Sequence, residues 1–94
     1  MKVGIIQLHL YLPACTSLKE KRGRIKPLIS RLHSEFNLSV AEVDLQDMWQ
    51  EALIACAVIN NDSRIIQKTY AGIQHFTQNF FTEVELLDDR IEII

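Results

Sequence analysis

Between Val3 and Leu12 apolar and mixed positions alternate, with Gly4, Ile6, Leu8, Leu10 and Leu12 on one face of an extended segment and Val3, Ile5, Gln7, His9 and Tyr11 on the other. This predicts a first strand with one wholly apolar face, ended by Pro13. Ser17-Leu18-Lys19-Glu20 then has the spacing in which a hydroxyl and a carboxylate satisfy free backbone donors at a helix start. The period changes to helical from about Leu18, with Leu18, Ile25, Leu28, Ile29, Leu32 and Phe36 as the buried stripe. Pro27 falls inside that helix, but Gly23, four residues earlier, leaves room for the ring, so a kink is expected rather than two helices.

Asn37 is the expected helix terminator, and Leu38 to Val43 reads as a second strand, followed by a polar connection from Leu45 to Met48. Trp49 to Ile59 is apolar on both faces, Ala52, Ile54, Cys56 and Val58 on one and Leu53, Ala55, Ala57 and Ile59 on the other, which marks a central strand. Asn60-Asn61-Asp62-Ser63 supplies caps for a second helix whose stripe is Ile66, Tyr70, Ile73, Phe76 and Phe80. Thr82 to Ile94 closes the chain as an acidic strand, with Asp88-Asp89 marking a bulge or bend.

Strand, helix, strand, strand, helix, strand is the split βαβ order, so the expected architecture is an α+β ferredoxin-like βαββαβ sandwich: a four-stranded antiparallel sheet with two helices on one face. At 94 residues the chain holds one domain, 1–94, with one core layer. The uncovered sheet face would carry Ile5, His9, Tyr11, Leu53 and Ile59, an apolar surface that predicts a homo-oligomer, dimer or higher, built through that face.

Composition adds location and charge. The apolar runs are too short to span a bilayer, no signal-peptide pattern opens the chain, and Cys15 and Cys56 do not form a disulfide framework, so a cytoplasmic protein with two free thiols and no membrane partner is expected. The net charge of −2 hides an asymmetry: residues 1–34 carry seven Lys and Arg against one acid, and the remainder carries three against eleven.

The run Ser17-Leu18-Lys19-Glu20-Lys21-Arg22, then Ser39-Val40-Ala41-Glu42-Val43, then Asp47, Trp49, Gln50 and Ala52, then Asn61-Asp62, resembles the YlxP-like family, also called domain of unknown function 503. The resemblance covers essentially the whole chain and implies the same ferredoxin-like fold. It implies no reaction: the family has no agreed activity, and its bacterial genes tend to lie near those for translation initiation and ribosome maturation factors. Ala55 stands where the family usually has Gly, and Asn60 where Ser is common; neither change threatens the fold.

The strongest constellation is the basic stripe Lys19, Arg22 and Lys26, at i, i+3 and i+7 on the first helix, a candidate phosphate contact for RNA. A solvated helix face accounts for the same residues and is favoured by the acidic remainder. Lys21 falls within the apolar arc, where its stem packs and its ammonium snorkels or pairs with Glu42 or Asp47. Base stacking on the central strands, the mode of RNA-binding domains with this topology, lacks its aromatics in Gln50 to Cys56. Tyr11 and His9 on the open face and Trp49 at the start of the third strand remain candidates for stacking a ligand, although aromatics at strand ends more often pack or meet a partner.

His9, His33, His75, Cys15 and Cys56 show no ligand spacing, so no metal is expected. Cys15, in a loop, is the one thiol worth a reactivity test, and Pro13-Ala14-Cys15-Thr16-Ser17 lacks the glycines of an acylphosphatase cradle. The Asn60-Asn61-Asp62 run is accounted for by capping. The expectation is therefore a non-catalytic, homo-oligomeric binding module without cofactor, RNA- or ribosome-associated. The alternative is a regulatory module binding a small metabolite between protomers; an enzyme ranks third.

Overall fold

The computed structural model runs β1 (Lys2–Tyr11), α1 (Leu18–Glu35), β2 (Ser39–Asp44), β3 (Glu51–Asn60), α2 (Ser63–Phe80) and β4 (Glu85–Ile93). Residues 1–80 and 83–94 are described, Phe80 by its backbone alone; the Phe80 side chain, expected in the α2 stripe, and Thr82, expected to open the last strand, lie outside the described residues. The strands form one antiparallel sheet in the order β2-β3-β1-β4, which is the ferredoxin-like α+β arrangement.

The alternation in β1 sets the core. Ile6, Leu8 and Leu10 are fully buried against Ile25, Leu28 and Leu32 of α1 and Ile66 and Ile73 of α2, with Ala52, Ile54, Cys56 and Val58 of β3 in the same cluster. Each fully buried Leu or Ile contributes roughly 2 kcal/mol. Helix α1 leans on β2, and α2 on β1, β3 and β4. Packing is tight at Gly4, where a Cβ would stand 2.4 Å from Ile66 Cγ2, so only glycine lets α2 approach β1 there. Helix α1 passes Pro27 as one element and stops at Phe36, one residue before the expected Asn37. The Phe36 ring meets Phe76 edge-on, with centroids 6.0 Å apart, and so locks the end of α1 onto α2.

Both edge strands carry a bulge. In β2, Glu42 pairs with Ile54 and Asp44 with Leu53, so Val43 is the extra residue; in β4, Leu86 pairs with Leu10 and Asp88 with His9, so Leu87 is extra. The β4 bulge has a packing reason. Leu86 has even parity and Ile91 and Ile93 odd, and one inserted residue turns all three towards the helices. The same shift brings Asp89 to the helix side, where Tyr70 Oη and Gln74 Nε2 (2.8 Å) both donate to Asp89 Oδ1. Burial and the neighbouring carboxylate push the Tyr70 phenol up to about 12, so it stays a donor. The strand ends differ slightly from expectation, since Trp49 and Gln50 precede β3 and belong to the β2–β3 connection.

Candidate functional site

The first turn of α1 organises the surface with most of the basic residues. Ser17, in extended conformation, caps the helix by accepting from the Glu20 N–H at 3.0 Å. The carboxylate returns one residue further back than a capping box requires: Glu20 accepts from the Thr16 N–H at 3.1 Å and the Thr16 hydroxyl at 3.2 Å. The Thr16 amide, and after it Arg24, hold the Glu20 carboxyl below its ordinary range.

The cations of α1 divide by what holds them. Lys21 is 2 % exposed, with Nζ 2.8 Å from Glu42 Oε2 and donating to the Leu45 carbonyl at 2.7 Å. Leu45 has a φ of 61°, a left-handed backbone that costs a branched residue about 1 kcal/mol, and the buried ammonium holds its carbonyl in place. Arg24 donates to the carbonyls of Pro13 (2.8 Å) and Glu83 (3.1 Å) and to Glu20 (2.7 Å), joining the loop after β1 to the approach to β4. Arg31 pairs with Glu35 and lies over the Phe76 ring, 5.7 Å from its centroid. Lys19, Arg22 and Lys26 are exposed and have no hydrogen-bond or ion-pair partner among the described residues. Their spacing puts them on one side of the helix.

The second surface is the sheet face without helices. Register places Ile5, Gln7, His9 and Tyr11 of β1 beside Ile59, Ala57, Ala55, Leu53 and Glu51 of β3 on that face, so all five expected interface residues share it. Only Ile59, 62 % exposed, stands fully in solvent; Ile5, His9, Tyr11 and Leu53 are half-buried by their neighbours. The β4 bulge also turns Asp88, Arg90 and Glu92 outwards, which makes this face more polar than the alternation in β1 and β3 implies. His9 Nε2 lies 2.8 Å from Glu51 Oε1. Between the two bulges, Gln7, His9, Asp44, Leu53, Asp88 and Arg90 help line a cleft of about 270 Å³.

Other candidates resolve differently. Cys15, singled out in its loop for a reactivity test, is fully buried with Sγ directed at the Ser17 carbonyl. Burial pushes the Cys56 thiol up to about 12, which keeps it protonated and unreactive. Among the described residues no group of three or more His, Cys, Asp or Glu side chains could hold a metal, and no helix is long and apolar enough to cross a membrane. Asp62 caps α2 by accepting from the Arg64 N–H at 2.9 Å, and Asn60 accepts from the Asp62 N–H at 2.9 Å. Trp49, read from the sequence as the first residue of the third strand and as a packing or interface aromatic with stacking as the alternative, instead precedes β3 and is 51 % exposed in the β2–β3 connection.

Comparison with known proteins agrees with this fold. The "Uncharacterized protein YlxP" of Bacillus subtilis (strain 168) is 28% identical over 90 residues, covering 96% of this chain and 97% of that protein. The crystal structure of protein SO0527 from Shewanella oneidensis shares the fold, with a TM-score of 0.50 at 12% identity over 97% of this chain and 88% of that one. The family model described as "Protein of unknown function (DUF503)" matches residues 3–91, and the chain belongs to that family.

Proposed function

We propose that this chain is a non-catalytic RNA-binding module of the cytosol, self-associating through its open sheet face, with Lys19, Arg22 and Lys26 as its phosphate contacts. The observation that supports this is the division of the α1 cations. Lys21, Arg24 and Arg31 are engaged by the fold, while Lys19, Arg22 and Lys26 share one exposed side without a partner among the described residues. A cation already held in an ion pair gains little from a phosphate, whereas a free one releases condensed counterions from the nucleic acid. The neighbourhood of the family's genes, beside translation initiation and ribosome maturation factors, makes ribosomal RNA the natural target.

Co-sedimentation with ribosomes or purified RNA over a salt series tests the reading. Replacing Arg22→Glu and Lys26→Glu together removes two phosphate contacts and lowers the slope of log K against log salt by about 0.7 to 0.9 per contact. Binding undiminished in that variant overturns the assignment. Light scattering at micromolar concentration checks the self-association, and a monomer there refutes it.

The cleft on the open face favours a second reading, a small metabolite held between protomers. A thermal-shift screen separates the two: stabilisation by a metabolite and none by RNA selects the cleft.

A further inference from the structure

We infer that the RNA is single-stranded and that Trp49 is the platform on which one of its bases stacks, an inference that rests on the phosphate-binding role of α1. Trp49 is the chain's one tryptophan, and half of its surface is in solvent, although an indole gains more from burial than almost any other side chain. Neighbouring Met48 is also exposed, and Asp47, Met48, Trp49 and Gln50 line a shallow depression. The core makes no use of this tip.

Its position is fixed by α1 and the loop before it. Lys21 Nζ holds the Leu45 carbonyl at one end of the connection. At the other end the Gln50 carbonyl accepts from the Leu12 N–H at 2.8 Å, and Gln50 Nε2 reaches the Cys15 carbonyl at 3.4 Å. Cys15 is two residues before the α1 cap and Lys19 two after it, so the Trp49 connection and the first turn of α1 lie at the same end of the sandwich. Arg24, on the opposite flank of α1, is tied towards β4, which leaves the flank bearing Arg22 to face the β2 side, where the Trp49 connection lies.

Cations without a partner among the described residues, at the same end of the fold as an exposed aromatic in a tethered connection, make the arrangement that binds single strands: the cations follow the backbone and the ring takes a base face. A duplex keeps its bases stacked on each other and has none to offer the indole. Asp47, two residues from Trp49, disfavours phosphate at the ring itself, so the backbone runs along α1 and the base turns in. Stacking of this kind tolerates any base, and the preference expected is for strand state rather than sequence.

Trp49 fluorescence reads the contact directly. A short oligouridylate titrated into the whole protein should quench it, and an RNA duplex of matched length should bind more weakly and leave it unchanged. Trp49→Ala should weaken oligouridylate binding about tenfold, with duplex binding and the circular dichroism spectrum unaltered, and Trp49→Phe should restore most of the loss. Equal binding of single strand and duplex with unchanged fluorescence overturns the stacking role and leaves the phosphate contacts standing; no binding of either RNA overturns both. A Trp49→Ala variant that changes the oligomeric state but not RNA affinity assigns the tip to contact between copies and likewise overturns the inference.

Discussion

The inner and outer sides of α1 carry the same kind of residue in opposite circumstances. On the inner side Lys21 is buried with a carboxylate and a carbonyl, and Arg24 spans two carbonyls and Glu20; on the outer side Lys19, Arg22 and Lys26 stand in solvent. The difference is one of consequence rather than chemistry. A buried cation is indispensable to its partners once they have left water, whereas an exposed one contributes almost nothing to stability and remains available to something else.

The largest effect should come from Lys21→Ala, which strands the Glu42 carboxylate and releases the left-handed Leu45; a loss of about 3 kcal/mol is expected from the urea midpoint at unchanged slope. Pairing Lys21→Met with Glu42→Leu should recover most of it, because neither charge is then left alone. A loss below about 0.5 kcal/mol for Lys21→Ala would erase the contrast between the two sides. Arg24→Ala comes next, at about 1.5 kcal/mol by the same measurement, since two loop carbonyls lose a charged donor.

Glu20 sharpens the comparison through pH. Its carboxyl lies below the ordinary value of 4.5 because the fold prefers the ionised form, so its stabilisation is complete above about pH 4.5 and is lost as pH falls through the lowered value. Glu20→Gln should therefore be less stable than the parent at neutral pH, by less than the Arg24 variant, and the gap should close in acid. A gap independent of pH would show that the carboxylate's charge is immaterial. The smallest change belongs to the outer side: Lys19→Gln, Arg22→Gln and Lys26→Gln should each leave thermal stability within about 0.5 kcal/mol of the parent.

Much of this was readable from local pattern. The period-two face of β1 identified Ile6, Leu8 and Leu10 as core, the doubly apolar β3 identified the central strand, and Lys21 stood out because a cation fell inside an apolar arc. What escaped depends on pairing between distant segments. The bulge expected at Asp88-Asp89 falls one residue earlier, at Leu87, but which side chains it turns to the open face, Asp88 and Arg90 among them, is settled by register against β1 rather than by β4 itself. Cys15 was legible as a loop residue but its burial was not, since it depends on distant segments such as Gln50, 35 residues away, which reaches its carbonyl. The division of the α1 cations is of the same kind, since Glu83, which receives Arg24, lies 59 residues away.

The two bulges also govern what the sheet can become. A strand edge with an uninterrupted ladder is a template for amyloid-like growth, and this sheet has two edges. On β2 the bulge at Val43 interrupts the ladder after four residues, Ser39 to Glu42, and Asp44 alone pairs beyond it. On β4 a longer run survives beyond Leu87, but Asp88, Asp89, Arg90 and Glu92 crowd it with charge that a docking strand would have to desolvate. One edge is shortened and the other is guarded, so a sheet that leaves a whole face bare still resists runaway fibre formation at its rims.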